Sequence, residues 1–346
     1  MKKWMVLMLA VGFVLTASFS AQADSVLLPW VIKDKSISTI ITLVNTADPA
    51  PQKVRFHLLY WYKASTKNEQ TEKCEEVDFC VPTSYNDILV FDAAGNFNHG
   101  ATLFGDTAVQ GTKYTTVQGD ALSLPVDGPR RAFLIVTNEI YTSENCGAAP
   151  LMGGENTIYA EAMVVDIANG AAWGYDGYNP QNALSWMDFS DNGTDALGQV
   201  VASNNGEYAF LTIMPPSVFT TKIFVTPVAS NMWNGSLYVV SKLYCDIPGN
   251  LGGMYDYDER CVSFDTVKKV VCTDASTVDH YVSSGAWTIF ANTKAEGWAY
   301  LYLPNVVGST RQATIGKLEY SLGTASFDGN KIGAAINNFI WLRGRI

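Results

Sequence analysis

Residues that commonly carry chemistry are sparse here. The chain holds three histidines, His57, His99 and His280, and none is spaced as HxH or HExxH, the patterns that hold a catalytic zinc. His57 lies in "VRFHLLYWYK", among alternating apolar residues, and reads as a sheet-surface residue. Asp279-His280 could join a distant serine in a triad, which is defined by geometry, but no GxSxG elbow accompanies it. Paired acids roughly 5 to 9 Å apart would serve glycoside hydrolysis. Glu161, Asp166 and Asp176 lie in or beside one hairpin, where outward strand positions explain them without catalysis.

Calcium is the ion that the composition fits best. "DFSDNGTD" gathers Asp188, Asp191, Asn192 and Asp195 on one Gly-containing loop, and "DYDE" groups Asp256, Asp258 and Glu259; hard oxygen ligands on a tight loop suit Ca²⁺. Neither matches EF-hand spacing, and solvated turns built on Asn and Asp are the other reading. No other cofactor is expected. Trp173, Tyr175 and Tyr178 in "AAWGYDGYN" alternate with small residues and could stack on a sugar, or fill a core or an interface. Leu59 and Trp61 raise a related question: one face of their strand is plainly apolar, and something must also cover this second dry patch.

Cys74, Cys80, Cys146, Cys245, Cys261 and Cys272 are expected in disulfides if the chain is exported. Cys74 with Cys80, and Cys245 with Cys261 or Cys272, would close local loops. Local pairing leaves one odd thiol in each half, so either a bridge crosses between the halves or a thiol remains. Metal binding is the rival, without a CxxC pair to support it, and CxxCH is absent.

Export is expected from "MKKWMVLMLAVGFVLTASFSAQAD": a basic start, an apolar stretch, and Ala21-Gln22-Ala23 as a small-x-small site cut before Asp24. Removing the first 23 of 346 residues leaves 323 and, with two lysines gone, moves the formal charge from −10 to −12. That length suffices for two domains. The acidity argues against nucleic acid, which needs Lys and Arg, and no later stretch suits a membrane-spanning helix.

Strand-like runs fill the remainder. They include "STIITLVN", "VRFHLLYWYK", "DILVFD", "RAFLIVTN", "TIYAEAMVVDI" and "AAWGYD", then "YAFLTIM", "KIFVTPVA", "SLYVVSKLYC", "AWTIFAN", "WAYLYL", "ATIGKLEYSL" and "NNFIWLR". β-Branched and aromatic residues dominate them. Asn169-Gly170, Asn205-Gly206, Asn234-Gly235 and Asp328-Gly329 mark turns, and "MVVDIANGAAWGY" is the best hairpin. Only "NALSWMDF", 182 to 189, suggests a short helix. Residues 132–138 resemble 286–292 in pattern, each downstream of a long aromatic strand and a cysteine-bearing loop, which predicts tandem β-units.

The expected fold is all-β, as tandem immunoglobulin-like or Greek-key β-sandwiches over 24–195 and 196–346, after a signal peptide at 1–23. An outer-membrane β-barrel is the alternative, weakened by short runs and by Pro215, Pro216 and Pro227. "SVLLPWVIKDKSISTIITLVNT", "PTSYNDILVFD" and "AEAMVVDIANGAAWGY" resemble uncharacterised exported β-rich proteins of metal-reducing bacteria. The resemblance implies an envelope or extracellular place and at most a scaffolding partner for surface electron transfer. The function expected is a non-enzymatic structural or interaction module of the cell surface or periplasm, with a protein partner or self-association. Its mature N-terminal arm "DSVLLPWVIKDKS" or its end "NNFIWLRGRI" could pair between subunits. The rival is a carbohydrate-binding or glycoside-processing protein.

Overall fold

The computed structural model describes residues 25–46, 54–63, 73–83, 86–97, 102–105, 124, 129–140, 157–168, 170–178, 188–190, 201–202, 208–246, 251–293, 295–304, 306–310, 312–321, 326–327, 330–331 and 338–341. The first group of strands comprises β1 (Ser25–Lys33), β2 (Ile37–Asn45), β3 (Val54–Lys63), β4 (Cys74–Thr83), β5 (Ile88–Asp92), β6 (Thr102–Gly105), β7 (Arg130–Ile140), β8 (Ile158–Asp166) and β9 (Ala171–Asp176). They make two antiparallel sheets, in the orders β1-β7-β3-β4 and β6-β5-β2-β8-β9.

The second group comprises β10 (Val201–Ala202), β11 (Ala209–Ile213), β12 (Thr220–Pro227), β13 (Tyr238–Asp246), β14 (Leu251–Asp256), β15 (Cys261–Ser263), β16 (Val267–Val271) and β17 (Asp274–Thr277). Helix α1 (Ser284–Thr293) follows, then β18 (Gly297–Tyr302), β19 (Ala313–Tyr320), β20 (Ser326–Phe327), β21 (Asn330–Lys331) and β22 (Asn338–Trp341). Here the sheets run β10-β19-β12-β17, with β22 also on β19, and β11-β18-β13-β14-β15, with β16 on β13. Among the described residues no strand pairing joins the two groups. The fold is thus all-β, of several antiparallel sheets stacked as in β-sandwiches.

Period-two alternation explains the first core. In β8, Ile158, Ala160, Ala162 and Val164 are buried while Glu161 and Met163 are exposed. The β8–β9 hairpin closes at Asp166 opposite Ala171, with Gly170 at φ +62° in its turn. The inward residues of β8 meet Phe56, Leu58 and Tyr60 of β3 and Leu134 and Val136 of β7 across the layer. The second core sets Leu211, Leu243, Met254 and Leu301 of one sheet against Ile223, Val225 and Ile315 of the other, with Phe290 of α1 beside them.

In the sheet β1-β7-β3-β4 the strands β1, β7 and β3 bury residues on both faces, while the edge strand β4 exposes Glu75, Glu76 and Asp78. Leu59 and Trp61 pack with Phe133, Ile135, Tyr178 and Phe189, and with Val228 and Met232 of the second group. Their second dry patch is therefore covered by the chain itself, each large side chain contributing about 1.5–3 kcal/mol of burial. The first core in turn takes in Phe224, Ala275 and Leu318. At the junction β1 bulges between Leu28 and Val31. Pro29 has no N–H for the ladder there, and its carbonyl accepts the hydroxyls of Thr226 at 2.7 Å and Thr273 at 3.2 Å.

Several expectations change. Residues 286–292 are helical within α1: Ala286 and Phe290, one turn apart, are buried, while Ile289 is 60% exposed. A short apolar run does not by itself distinguish strand from helix, and the polar Ser283-Ser284 start favours a helix N-terminus. Residues 132–138 lie in β7, so these two segments are not equivalent units of a repeat. The N-terminal arm is β1, paired along β7 and buried, and the C-terminal strand β22 pairs with β19, so both are used within the chain. The strands sort into separate sheets around distinct cores rather than closing into one cylinder, which corrects the barrel alternative. Among the described residues no helix is long and apolar enough to cross a membrane. The short helix suggested at 182–189 falls mostly outside the described residues.

Candidate functional site

The strands that bury Ala209, Leu211, Leu243, Ala299 and Leu301 carry aromatic residues on their other face: Phe210 is exposed, Tyr255, Trp298, Tyr300 and Tyr302 are half-buried, and Tyr208 and Tyr244 are buried. Register aligns them: Phe210 of β11 lies opposite Tyr300 of β18, Tyr300 opposite Tyr244 of β13, and Trp298 opposite Tyr255 of β14. Phe210 sits 5.5 Å from Trp298 and 6.0 Å from Tyr300. Tyr208 joins Tyr300 at 5.3 Å, and Tyr302 meets Tyr244 at 5.5 Å. Most pairs are edge-to-face, as Trp298 on Tyr300 at 85°, whereas Trp298 and Tyr255 stack at 4.4 Å and 27°. Such pairs add about 0.5–1.5 kcal/mol each beyond burial, so the rings hold one another in place. Phe210 remains 43% exposed.

Polar groups frame this face. Lys242 lies 5.0 Å over the Tyr244 ring and pairs with Asp265. The Cys245–Cys261 disulfide straddles β14 at Gly253, which has φ +148°. A Cβ there would stand 2.9 Å from the Cys261 sulfur and 3.0 Å from the Cys245 sulfur. The bridge therefore fastens the edge strands beside Tyr255, and glycine lets it pass.

A shallow trough of about 590 Å³ lies on the outer face of β2, β8 and β9, where Ala172 and Gly174 leave room beside Ile40, Thr42 and Met163. Glu161 and Asp176 face each other in register there, and the Tyr159 hydroxyl donates to Glu161 Oε2 at 2.9 Å. Burial, then the Glu161 charge, raises the Asp176 carboxyl above its ordinary range. The aromatic residues expected beside these acids point elsewhere. Tyr175 is buried and donates its hydroxyl to the Trp30 carbonyl at 2.6 Å, Trp173 packs 6.3 Å from Phe224, and Tyr178 is fully buried. Trp61 is buried between the strand groups, 6.4 Å from Phe133. Their burial removes Trp61, Tyr175 and Tyr178 from an external ligand, and Trp173 is largely occupied by its packing.

Of the residues expected for calcium, Asp191, Asn192 and Asp195 lie outside the described residues, and Asp188 Oδ1 accepts the backbone N–H of Ser190 at 3.0 Å. Asp256 Oδ1 accepts the N–H groups of Asp258 and Arg260 at 3.0 and 2.9 Å, a turn-forming role. Among the described residues no group of three His, Cys, Asp or Glu could hold a metal. His280 Nδ1 lies 2.8 Å from the Thr277 hydroxyl and 3.8 Å from Asp279.

His57 is the unforeseen group. Its ring is 2% exposed, with Nδ1 2.7 Å from Glu139 Oε1 and Nε2 3.4 Å from Asp78 Oδ2. Burial alone would lower its pKa, but the two carboxylates outweigh burial and raise it to about 9. The alternation around His57 gave its place in a strand; its partners on β7 and β4 depend on tertiary pairing.

The aromatic face had a legible signal: aromatic residues at i and i+2 in "YAF" and "WAYLY", separated by small or aliphatic residues. Which face looks outward was not legible. These features define an all-β protein with an aromatic outer face and without a metal cluster among its described residues. No family model, curated protein or solved structure matches the chain.

Proposed function

We propose that this is an exported, non-catalytic protein of two β-sandwich units, acting in the envelope or outside the cell as an interaction module. The observation that carries this reading is the aromatic face of β11, β18, β13 and β14, whose opposite side is already the core. Aromatic residues are the commonest anchors of protein interfaces. Four strands at ~4.8 Å spacing and about five residues of ~3.4 Å rise span roughly 320 Å². A stable globular interface needs about 800 Å² from each partner, so this face suits a narrow, extended segment of another protein. Edge-to-face rings, as of Trp298 on Tyr300, make an uneven surface suited to alternating side chains. They lack the coplanar surface on which a flat polysaccharide stacks.

A photo-crosslinking phenylalanine analogue at position 210 tests this in the expressing cell, with the same analogue at exposed Ile88 as control. A discrete, protease-sensitive adduct formed from position 210 and absent from position 88 is expected. An adduct sensitive to glycosidases would establish the carbohydrate reading instead. No adduct at 210, or equal adducts at both positions, would overturn the assignment of this face.

A further inference from the structure

The sequence leaves one odd cysteine in each half under local pairing, and the fold brings two cysteines from opposite halves together. Cys80, Cys245 and Cys261 are disulfide-bonded, whereas Cys74 and Cys272 are unbridged. Cys74 begins β4 in the first strand group; Cys272 follows β16 in the second. Cys74 packs against the buried cluster that contains Cys272. A segment between them fixes both backbones: the Cys74 N–H donates to the Gly235 carbonyl at 2.7 Å, and the Cys272 N–H reaches the Leu237 carbonyl at 3.5 Å. Cys272 has φ +68°, a left-handed conformation uncommon for a residue with a Cβ, so the backbone is strained where it presents this sulfur.

We infer that Cys74 and Cys272 form a further cystine, a covalent tie between the two strand groups. In the cell its formation rests on the export reading, since an exported chain meets disulfide oxidants. Cys74 is partly exposed and Cys272 is buried, so the order of attack follows. The Cys74 thiolate attacks an external disulfide RSSR, forming Cys74–S–S–R and releasing RS⁻. Cys272 loses its proton and attacks the Cys74 sulfur, which closes the bridge and expels the second RS⁻. Two cysteine thiols are oxidised and one RSSR is reduced to two RSH. No large rearrangement is needed, because both cysteines are anchored to the same short segment, at Gly235 and Leu237.

The test uses the full mature chain, folded and untreated or incubated with oxidised glutathione, then denatured, alkylated and peptide-mapped. A linked peptide joining Cys74 to Cys272 is expected after treatment, with two fewer free thiols per chain than in any reduced starting material. Alkylation of both cysteines while Cys245–Cys261 is intact would overturn the proposal, as would arrest at a Cys74–glutathione mixed disulfide. Cys74→Ala is expected to leave one thiol at Cys272 that oxidised glutathione does not reach in the folded state; ready modification would count against the ordered closure. Chain recovered from the host's exported fraction should carry the linked peptide already. Should Cys245 and Cys261 also be reduced there, the export reading fails, and the glutathione treatment still decides the pair.

Discussion

The Thr226 hydroxyl donates to the Pro29 carbonyl at 2.7 Å, joining β12 of the second strand group to the bulge in β1 of the first. The same hydroxyl lies 2.7 Å from that of Thr273, so two threonines gather at the carbonyl where the β1–β7 register shifts. Around this point Trp30 packs 5.5 Å from Phe224. The junction is thus specified by polar geometry inside an apolar contact, and removing the polar part should cost more than its area suggests.

Thr226→Val keeps the volume and deletes the donor. The Pro29 carbonyl would then rely on Thr273 at 3.2 Å. A loss of about 1–2 kcal/mol in unfolding free energy is expected, read from the denaturant midpoint with the slope unchanged. A midpoint equal to wild type would show that the Thr273 contact suffices.

Asp274 is the electrostatic counterpart. Its carboxylate receives Arg131 from β7 across the junction and Lys268 at 2.7 Å. Burial would raise its pKa, but Lys268, Lys63 and Arg131 outweigh it and hold the carboxyl well below the usual range. A depressed folded pKa gives stability that is present above about pH 4 and lost as pH falls below it. Asp274→Asn should therefore cost roughly 2–3 kcal/mol at pH 7, discounted for the partly exposed Arg131. It should also flatten the acid limb of the stability profile. An unchanged acid limb would assign that limb to other carboxylates.

Much of the architecture follows from local pattern. β9 occupies the six residues of "AAWGYD", and the Asn-Gly turn before it closes the expected hairpin, because alternation and turn chemistry are local. Residues 286–292 defeated the same reasoning, since a short apolar run acquires its period only from what it packs against. Pro29 interrupts the alternation of the N-terminal arm, and the bulge that accommodates it meets two threonines 197 and 244 positions away. The covering of Leu59 and Trp61, the partners of His57 and the meeting of Cys74 with Cys272 are likewise set by tertiary pairing. The sequence shows that such residues need partners without saying which.

Gly253 offers a test of how the aromatic face is braced. Its φ of +148° strains any residue with a Cβ, and a methyl would stand 2.5 Å from the Val262 carbonyl oxygen and 2.9 Å from the Cys261 sulfur of the bridge, with the Cys245 sulfur crowded at 3.0 Å. Gly253→Ala should destabilise the protein by about 2 kcal/mol or more. It should also make the bridge easier to reduce in the native state, followed by alkylation of Cys261 against time in dithiothreitol. Equal rates in variant and wild type would show that β14 can yield without disturbing the bridge.

His57 should set the alkaline limb. Its folded pKa of about 9 lies above the ordinary 6.5, so the stability from charged His57 between Glu139 and Asp78 is complete below about pH 6.5. That contribution is lost as pH rises from there through 9. The shift corresponds to a few kcal/mol, since each unit is about 1.4 kcal/mol. Thermal unfolding between pH 6 and 10 should thus show a falling midpoint in wild type. His57→Gln should be less stable at pH 6, because Glu139 stays buried without a cation, and should lose most of the fall above pH 7. A wild-type midpoint that is flat from pH 6 to 10 would mean that the folded His57, Glu139 and Asp78 cluster holds no extra proton above pH 6.5, which would overturn the charged-His57 reading.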